Sequence, residues 1–560
     1  MHHRLLNFLI LLLWVIPQAN AQTIASHGMV VSDHHLASET GVQILKKGGN
    51  AVDAAVATAF ALAVTHPSAG NIGGGGFLVF MDTTGQVNTI DFREKAPMAA
   101  TRDMFLDSKG HLIPGTNHKG LKTVGVPGTV AGLFLAHQRY GRMKWADLVQ
   151  PAIDLAENGF EMSWGLYEEA KWFSQRDTSQ DILQTYFHDQ QNELVEPGEI
   201  WRQPELAQTL TYIRDQGHDG FYSGPVADEI ERYMQAKGGL ITREDLAAYN
   251  AVERSPVHGT YRGYDIYSMA PPSSGGVVLM EMLNMLEMAD PANLDFGSSD
   301  YVHLVAEIMR RAYADRAQYL GDPDFNPEMP VDDLLSKEHA EKRFKSIDMK
   351  KASVTDPAKF GHPYGGDNTT HFSVIDGEGN AVSLTYTLEY SYGSGMGSEK
   401  LGFIFNNEMG DFNPVPGLTN EKGLIGTPAN LIAPGKRMLS SMTPTIVARD
   451  GKPYLIIGSP GGRTIINTVF QTIVAVLDYD MPVDDAIEAL KIHHQWLPDM
   501  IRYEKYKLPV DVRQNLEQKG HTLQEVGSLG KLMGIMVDRA RDIYIGAADS
   551  STKDGAACGY

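Results

Sequence analysis

The sequence predicts a globular α+β chain, and three observations lead to that class. Segments with helical spacing and polar faces alternate with short β-branched runs. The composition is that of an ordinary folded protein, with 42% hydrophobic, 9% aromatic and 21% charged residues among 560. A polar stretch also ends abruptly, near residue 368, where a strand pair begins.

The first 21 residues stand apart from the rest. Arg4 precedes a nearly continuous apolar run from Leu5 to Ile16, and Ala19-Asn20-Ala21 offers a small-x-small cleavage pattern. This reads as a secretory signal peptide (1–21), too short in its apolar core to span a bilayer, with the mature chain beginning at Gln22. An uncleaved anchor is the competing reading, and no longer span follows to support it. Export to the periplasm is expected, with secretion as the alternative. The formal charge of −21 opposes adhesion to nucleic acid or anionic membrane, which needs a basic patch. Cys558 is the single cysteine, so no intrachain disulfide is available and stability must come from core burial.

From Gly41 to Thr65 the chain reads as an Ala/Val/Leu-rich helix pair broken at Gly48-Gly49-Asn50. Residues 145–158, 204–216, 226–236, 277–289 and 300–319 have helical spacing. Phe77–Met81, Asn88–Phe92 and Asp265–Met269 read as strands. Residues 345–368 are polar, rich in Gly and Pro and lack an apolar period, which predicts an exposed flexible segment. THFSVI and AVSLTYT around DGEGN then form a β-hairpin. Strands at Thr445–Ala448 and Tyr454–Gly458 and a helix from about Thr464 to Leu477 follow.

With Glu378 at the middle of the hairpin loop, Thr369 lies opposite Thr387, within reach of a side-chain hydrogen bond. A threonine hydroxyl is a poor nucleophile without a base beside it. Cleavage between Asn368 and Thr369 would supply one, because a new α-amine with a pKa of about 8 can be neutral and accept the proton. Threonines also start strands for purely conformational reasons, and on pattern alone both readings stand.

Other patterns narrow the chemistry. Gly73–Gly76 precedes a strand and not a helix, so it is no dinucleotide fingerprint, and tight packing is its expected use. The turn at Gly461-Gly462 lacks the Lys-Ser/Thr of a phosphate loop. His34-His35 and His493-His494 lack a zinc spacing and are expected to be structural. No GxSxG or kinase signature occurs.

The run Thr369-Thr370-His371-Phe372-Ser373-Val374-Ile375-Asp376 resembles the start of the small subunit of γ-glutamyltransferases, self-processing members of the N-terminal-nucleophile hydrolase superfamily. The resemblance extends over the mature chain through GGNAVDAAVATAFALAVTHPSAGNIGGGGF (48–77), DFREKAP (91–97), APPSSGG (270–276), NNEMGDF (406–412), LSSMTPTIV (439–447), GSPGG (458–462) and HHQWLPD (493–499). It implies a four-layer αββα sandwich in which a large fragment, 22–368, and a small fragment, 369–560, share one core as a heterodimer. It also implies that Thr369 is the nucleophile, supported by Thr387. Arg93, Ser440 and Ser441 would clamp the donor's α-carboxylate, for which a guanidinium fork and two hydroxyls are suited. Asp411, helped by Glu408, would hold the α-ammonium. Gly461 and Gly462 would form the oxyanion hole, where a missing Cβ lets the backbone approach closely.

The implied activity is cleavage of the γ-glutamyl amide of glutathione and related donors through a γ-glutamyl-threonine. The acyl group passes to water or to an amino acid or peptide amine, and no metal or cofactor is required. A glutaryl or cephalosporin acylase of the same superfamily is one alternative, and a non-catalytic exported binder of γ-glutamyl compounds is another. The chain departs from the common family pattern at Glu389, where bacterial relatives usually carry asparagine near the α-ammonium. It departs again at Lys422 within an expected lid, Asn413 to Pro428, and at 427–430 and Arg463-Thr464. With Glu408 and Asp411, Glu389 would put three carboxylates in one small site. They would bind a cation more strongly, or one would be protonated through like-charge repulsion.

Overall fold

A computed structural model of the chain describes residues 22–174, 182, 185–189, 191–289, 293–355, 368–420, 424 and 426–560. The expected signal peptide, residues 356–367 of the expected flexible segment, and Lys422 lie outside the described residues. Among the described residues no helix is long and apolar enough to cross a membrane.

Fourteen strands form two seven-stranded, wholly antiparallel sheets. In chain order they are β1 (Gln22–Ala25), β2 (Met29–Ser32), β3 (Gly75–Met81), β4 (Val87–Phe92), β5 (Val252–Arg254), β6 (Val257–Tyr261), β7 (Tyr264–Ser268), β8 (Asn368–Ile375), β9 (Ala381–Glu389), β10 (Thr445–Arg449), β11 (Lys452–Gly458), β12 (Met533–Asp538), β13 (Ile543–Ala548) and β14 (Ala556–Gly559). One sheet runs β14-β2-β8-β9-β3-β4-β5, the other β1-β13-β12-β11-β10-β7-β6. Strands from before and after residue 368 therefore interleave in both.

The sheets face each other through Met29, Val31, Val79, Ile375, Ile446, Ile456 and Ile535. Helices α1 (His35–Lys46), α2 (Ala51–Thr65), α3 (Thr129–Tyr140), α4 (Trp145–Asn158) and α5 (Pro204–Gln216) cover the outer face of the β8/β9 sheet. Helices α6 (Gly275–Met288), α7 (Ser299–Tyr319) and α8 (Thr464–Asp478) cover the outer face of the β10/β11 sheet. The result is the helix–sheet–sheet–helix sandwich expected above.

Local chemistry explains the elements around the hairpin. Asn50 ends the break between α1 and α2 by capping α2, its side chain accepting from Asp53 N while Asp53 accepts from Asn50 N. Helix α2 is buried on every side, as its all-round apolar sequence requires. The hairpin pairs Thr370 with Tyr386 through to Ile375 with Ala381, the expected register. The ladder becomes irregular between Asn368 and Thr370, with Asn368 opposite Glu389, so Thr387 and Leu388 of β9 face the single residue Thr369 and the bulge lies on β9.

Period-two alternation then sorts the β8 side chains. Phe372 and Val374 join the helix-side core. Ile375 joins the core between the sheets, and Ser373 donates to Met533 O of β12 at 3.2 Å. Thr369 belongs to this inward set, at the mouth of the space between the sheets.

Candidate active site

Thr369 lies at the start of β8, and the end of β11 comes up beside it. A Cβ on Gly458 would lie 2.3 Å from the His371 ring, so the turn after β11 reaches the Thr369 end of β8. That turn carries Gly461 and Gly462 at φ +127° and +55°, left-handed backbone that favours glycine. Among the described residues the N–H groups of Gly461 and Gly462 donate to no protein acceptor. Gly462 lines the pocket in front of Thr369, whereas Gly461 sits behind it, its carbonyl accepting from Thr464 N at 3.1 Å.

The pocket is lined by Thr369, Thr387, Arg93, Glu389, Glu408, Asp411, Ser440, Ser441, Met442, Gly462, Arg463 and Ile465. Every expected site residue except Asn368 and Gly461 is in its wall. Thr369 Oγ1 lies 3.5 Å from Thr387 Oγ1. Gly74, in the glycine run, lets β3 close against this spot, since a Cβ there would fall 2.0 Å from Thr387 O. Tight packing beside the site is thus the use of that run.

Arg93 bridges two residues whose expected task is opposite to its own. Its Nη1 is 2.7 Å from Glu408 Oε2 and its Nη2 is 2.5 Å from Asp411 Oδ2. Arg93 N also donates to Asp91 Oδ1, which sets the exit from β4. Ser440 and Ser441 are held by the APPSSGG segment, where Ser440 N donates to Pro272 O and Ser274 Oγ donates to Ser440 O. Asn406 ties NNEMGDF to the glycine run by donating to Gly73 O at 2.8 Å and accepting from Glu408 N at 3.1 Å. The short 3₁₀ turn Glu408–Asp411 is fixed in this way. Asn430 Nδ2 donates to Asp411 O, which gives part of the unusual 427–430 stretch a positioning task.

Burial dominates the electrostatics. It pushes the Glu389 carboxyl well above the usual range, with Asp411 adding to the rise, and it pushes Glu408 the same way against the pull of Arg93. Glu94, behind Arg93, is pushed up to about 7 by burial. Protonation within the carboxylate cluster was expected from like-charge repulsion, and desolvation proves the larger cause. Glu389 sits at φ +78°, an uncommon conformation for a side chain of this kind. Its Oε1 is 3.1 Å from His118 Nδ1. Burial drives His118 down to about 4, so desolvation disfavours charge on both members of the pair.

Sequence reasoning missed two participants and undervalued a third. His118 stacks on Tyr390. Arg316, on α7, donates through Nη2 to Ser441 Oγ at 2.9 Å and through Nε to Ser274 Oγ at 2.8 Å. Arg463, noted only as unusual, is part of the pocket wall. A buried arginine on an amphipathic helix leaves no separate mark in sequence. The paired histidines are structural, as expected: His34 Nδ1 accepts from Leu36 N at the start of α1, and His493 and His494 bond to Asn467 and Trp496 N.

The sequence model of the family described as Gamma-glutamyltranspeptidase matches residues 37–560. The chain belongs to the gamma-glutamyltranspeptidase family. The Glutathione hydrolase proenzyme of Escherichia coli K12 is 45% identical over 538 residues, covering 96% of this chain and 92% of the relative. Among solved structures, the cephalosporin acylase from Bacillus halodurans superposes with a TM-score of 0.84 at 28% identity, covering 98% of each chain. The gamma-glutamyltranspeptidase of Helicobacter pylori aligns with a TM-score of 0.56 at 48% identity, over 57% of this chain and 91% of its own. This gamma-glutamyltranspeptidase family member thus shares its fold with both transpeptidases and acylases, so residues in the pocket must decide between those chemistries.

Proposed function

We propose that this enzyme is a self-processing γ-glutamyltransferase and glutathione hydrolase, cut between Asn368 and Thr369 into fragments 22–368 and 369–560 that remain together as a heterodimer. The observation that carries the reading is one pocket holding Thr369, an adjacent hydroxyl, a glycine turn with undonated N–H groups, and both charges needed to read an amino acid head group. In this reading the Thr369 α-amine takes the hydroxyl proton as Oγ attacks the γ-carbonyl. The N–H groups of the Gly461-Gly462 turn stabilise the oxyanion, and the leaving amine takes the proton. Water or an amino acid or peptide amine then releases the γ-glutamyl group.

Arg93, Ser440 and Ser441 receive the α-carboxylate, while Asp411 with Glu408 and Glu389 receives the α-ammonium. In keeping with two fragments, the matched Helicobacter pylori chain spans only 57% of this one. Residues 1–21 act as a signal peptide for export, with the periplasm as the destination. A glutaryl acylase fits the pocket less well, because a glutaryl group has no ammonium to satisfy Asp411.

Denaturing electrophoresis with N-terminal sequencing tests the cleavage, and the smaller band should begin at Thr369. Thr369→Ala should give one uncut, inactive chain. A start elsewhere would overturn the mechanism, and faster release from glutaryl than from γ-glutamyl anilides would overturn the substrate class.

A further inference from the structure

Arg463 is the side chain in the pocket wall whose charge the γ-glutamyl reading does not use. It caps the oxyanion turn on one side and begins α8 on the other, with its backbone carbonyl accepting from Tyr313 Oη. Its guanidinium Nε and Nη1 are buried and meet no acceptor among the described residues. Burial and then the neighbouring Arg316 hold its pKa down to about 9, with Asp411 and Glu389 too weakly placed to offset them. Arg463 as a whole is half-buried, and two buried guanidinium donors with no acceptor are costly unless an anion comes to them.

The other two cations of the site are engaged. Arg93 is shared by Glu408 and Asp411, and Arg316 by the hydroxyls of Ser274 and Ser441. A γ-glutamyl group brings a single carboxylate, and Arg93, Ser440 and Ser441 already receive it in the reading above. A second anionic group can therefore come only from the amine side of the scissile bond. Arg463 directly follows Gly462, so its side chain is anchored next to the carbonyl under attack and can reach beyond it.

We propose that Arg463 is a specificity residue that receives a carboxylate on the leaving group, so that the enzyme favours γ-glutamyl amino acids and peptides over neutral γ-glutamyl amides. The same contact selects acceptors in transfer, favouring amino acids and peptides over simple amines. The inference rests on the γ-glutamyl reading, with Arg463 acting only in binding.

Two anilides test it: γ-glutamyl-4-nitroanilide and its 3-carboxy counterpart, which differ by one carboxylate on the leaving group. The native enzyme should show a kcat/KM ratio in favour of the carboxylated anilide of about tenfold, the size expected for one charge-assisted contact. Arg463→Met should bring that ratio close to one, whatever its absolute rates, and Arg463→Lys should restore part of it. A native ratio at or below one, or a ratio unchanged in Arg463→Met, overturns the inference while leaving the γ-glutamyl reading intact. No release from either anilide by the native enzyme overturns both. If Arg463→Met fails to process, the native ratio and the Lys variant still decide.

Discussion

The Thr387 hydroxyl links Thr369 to Glu389: it lies 3.5 Å from Thr369 Oγ1 and accepts from Glu389 N at 2.9 Å. The link lies at the bulge, where Thr387 and Leu388 of β9 face Thr369 of β8. Thr387→Val keeps the shape and removes the hydroxyl. It should slow both self-cleavage and turnover by about tenfold or more, the cost of one buried hydrogen bond to a reacting group, while Thr387→Ser should retain most of both. Equal band ratios over time in native and Val proteins would show that Thr387 has no part in processing.

Arg316 acts through Ser441 and needs no contact with the donor. Arg316→Met frees the Ser441 hydroxyl and removes a positive charge behind the carboxylate clamp. The KM for a γ-glutamyl donor should rise about tenfold with kcat within a few-fold, as for a loss of ground-state and transition-state binding alike. Arg316→Lys should recover part of the KM. An unchanged KM would remove Arg316 from the clamp.

Glu389 should make donor binding depend on pH. Burial and Asp411 raise its pKa, so increasing pH ionises it beside the donor's α-ammonium. The KM should therefore fall as pH rises in the native enzyme, and the dependence should be lost in Glu389→Gln. Steady-state KM profiles of the two proteins provide the comparison. A Gln variant with the native profile would assign the titration to another group.

Glu281 on α6 offers a stability prediction away from the site. Both carboxyl oxygens are buried without a donor among the described residues, and burial pushes the pKa well above the usual value. The folded state therefore keeps a proton that the unfolded state releases. Its contribution is fully present below the unfolded pKa of about 4 and is lost as pH rises towards the folded value. Glu281→Gln, which cannot ionise, should melt a few degrees higher than the native protein at mildly alkaline pH. The difference should disappear in acid. Thermal unfolding across pH would show a constant difference if this carboxyl does not titrate.

By itself the sequence determined the hairpin and its register, the strand and helix on either side of the glycine turn, and the candidates for nucleophile, clamp and oxyanion hole. The elements are local properties, set by period-two alternation, β-branched residues and glycine where the backbone must turn, whereas the site candidates came from the family resemblance. Only the tertiary structure decided which charges meet. Arg93 joins Glu408 and Asp411, residues more than three hundred positions later, and Arg316 reaches Ser441 across the helix–sheet boundary. In sequence, Arg316 carries no separate mark, and Glu389 and Arg463 show as departures from the family pattern. Burial changes each of them, because removal from water makes the protonation state and every partner depend on neighbours that chain order does not reveal.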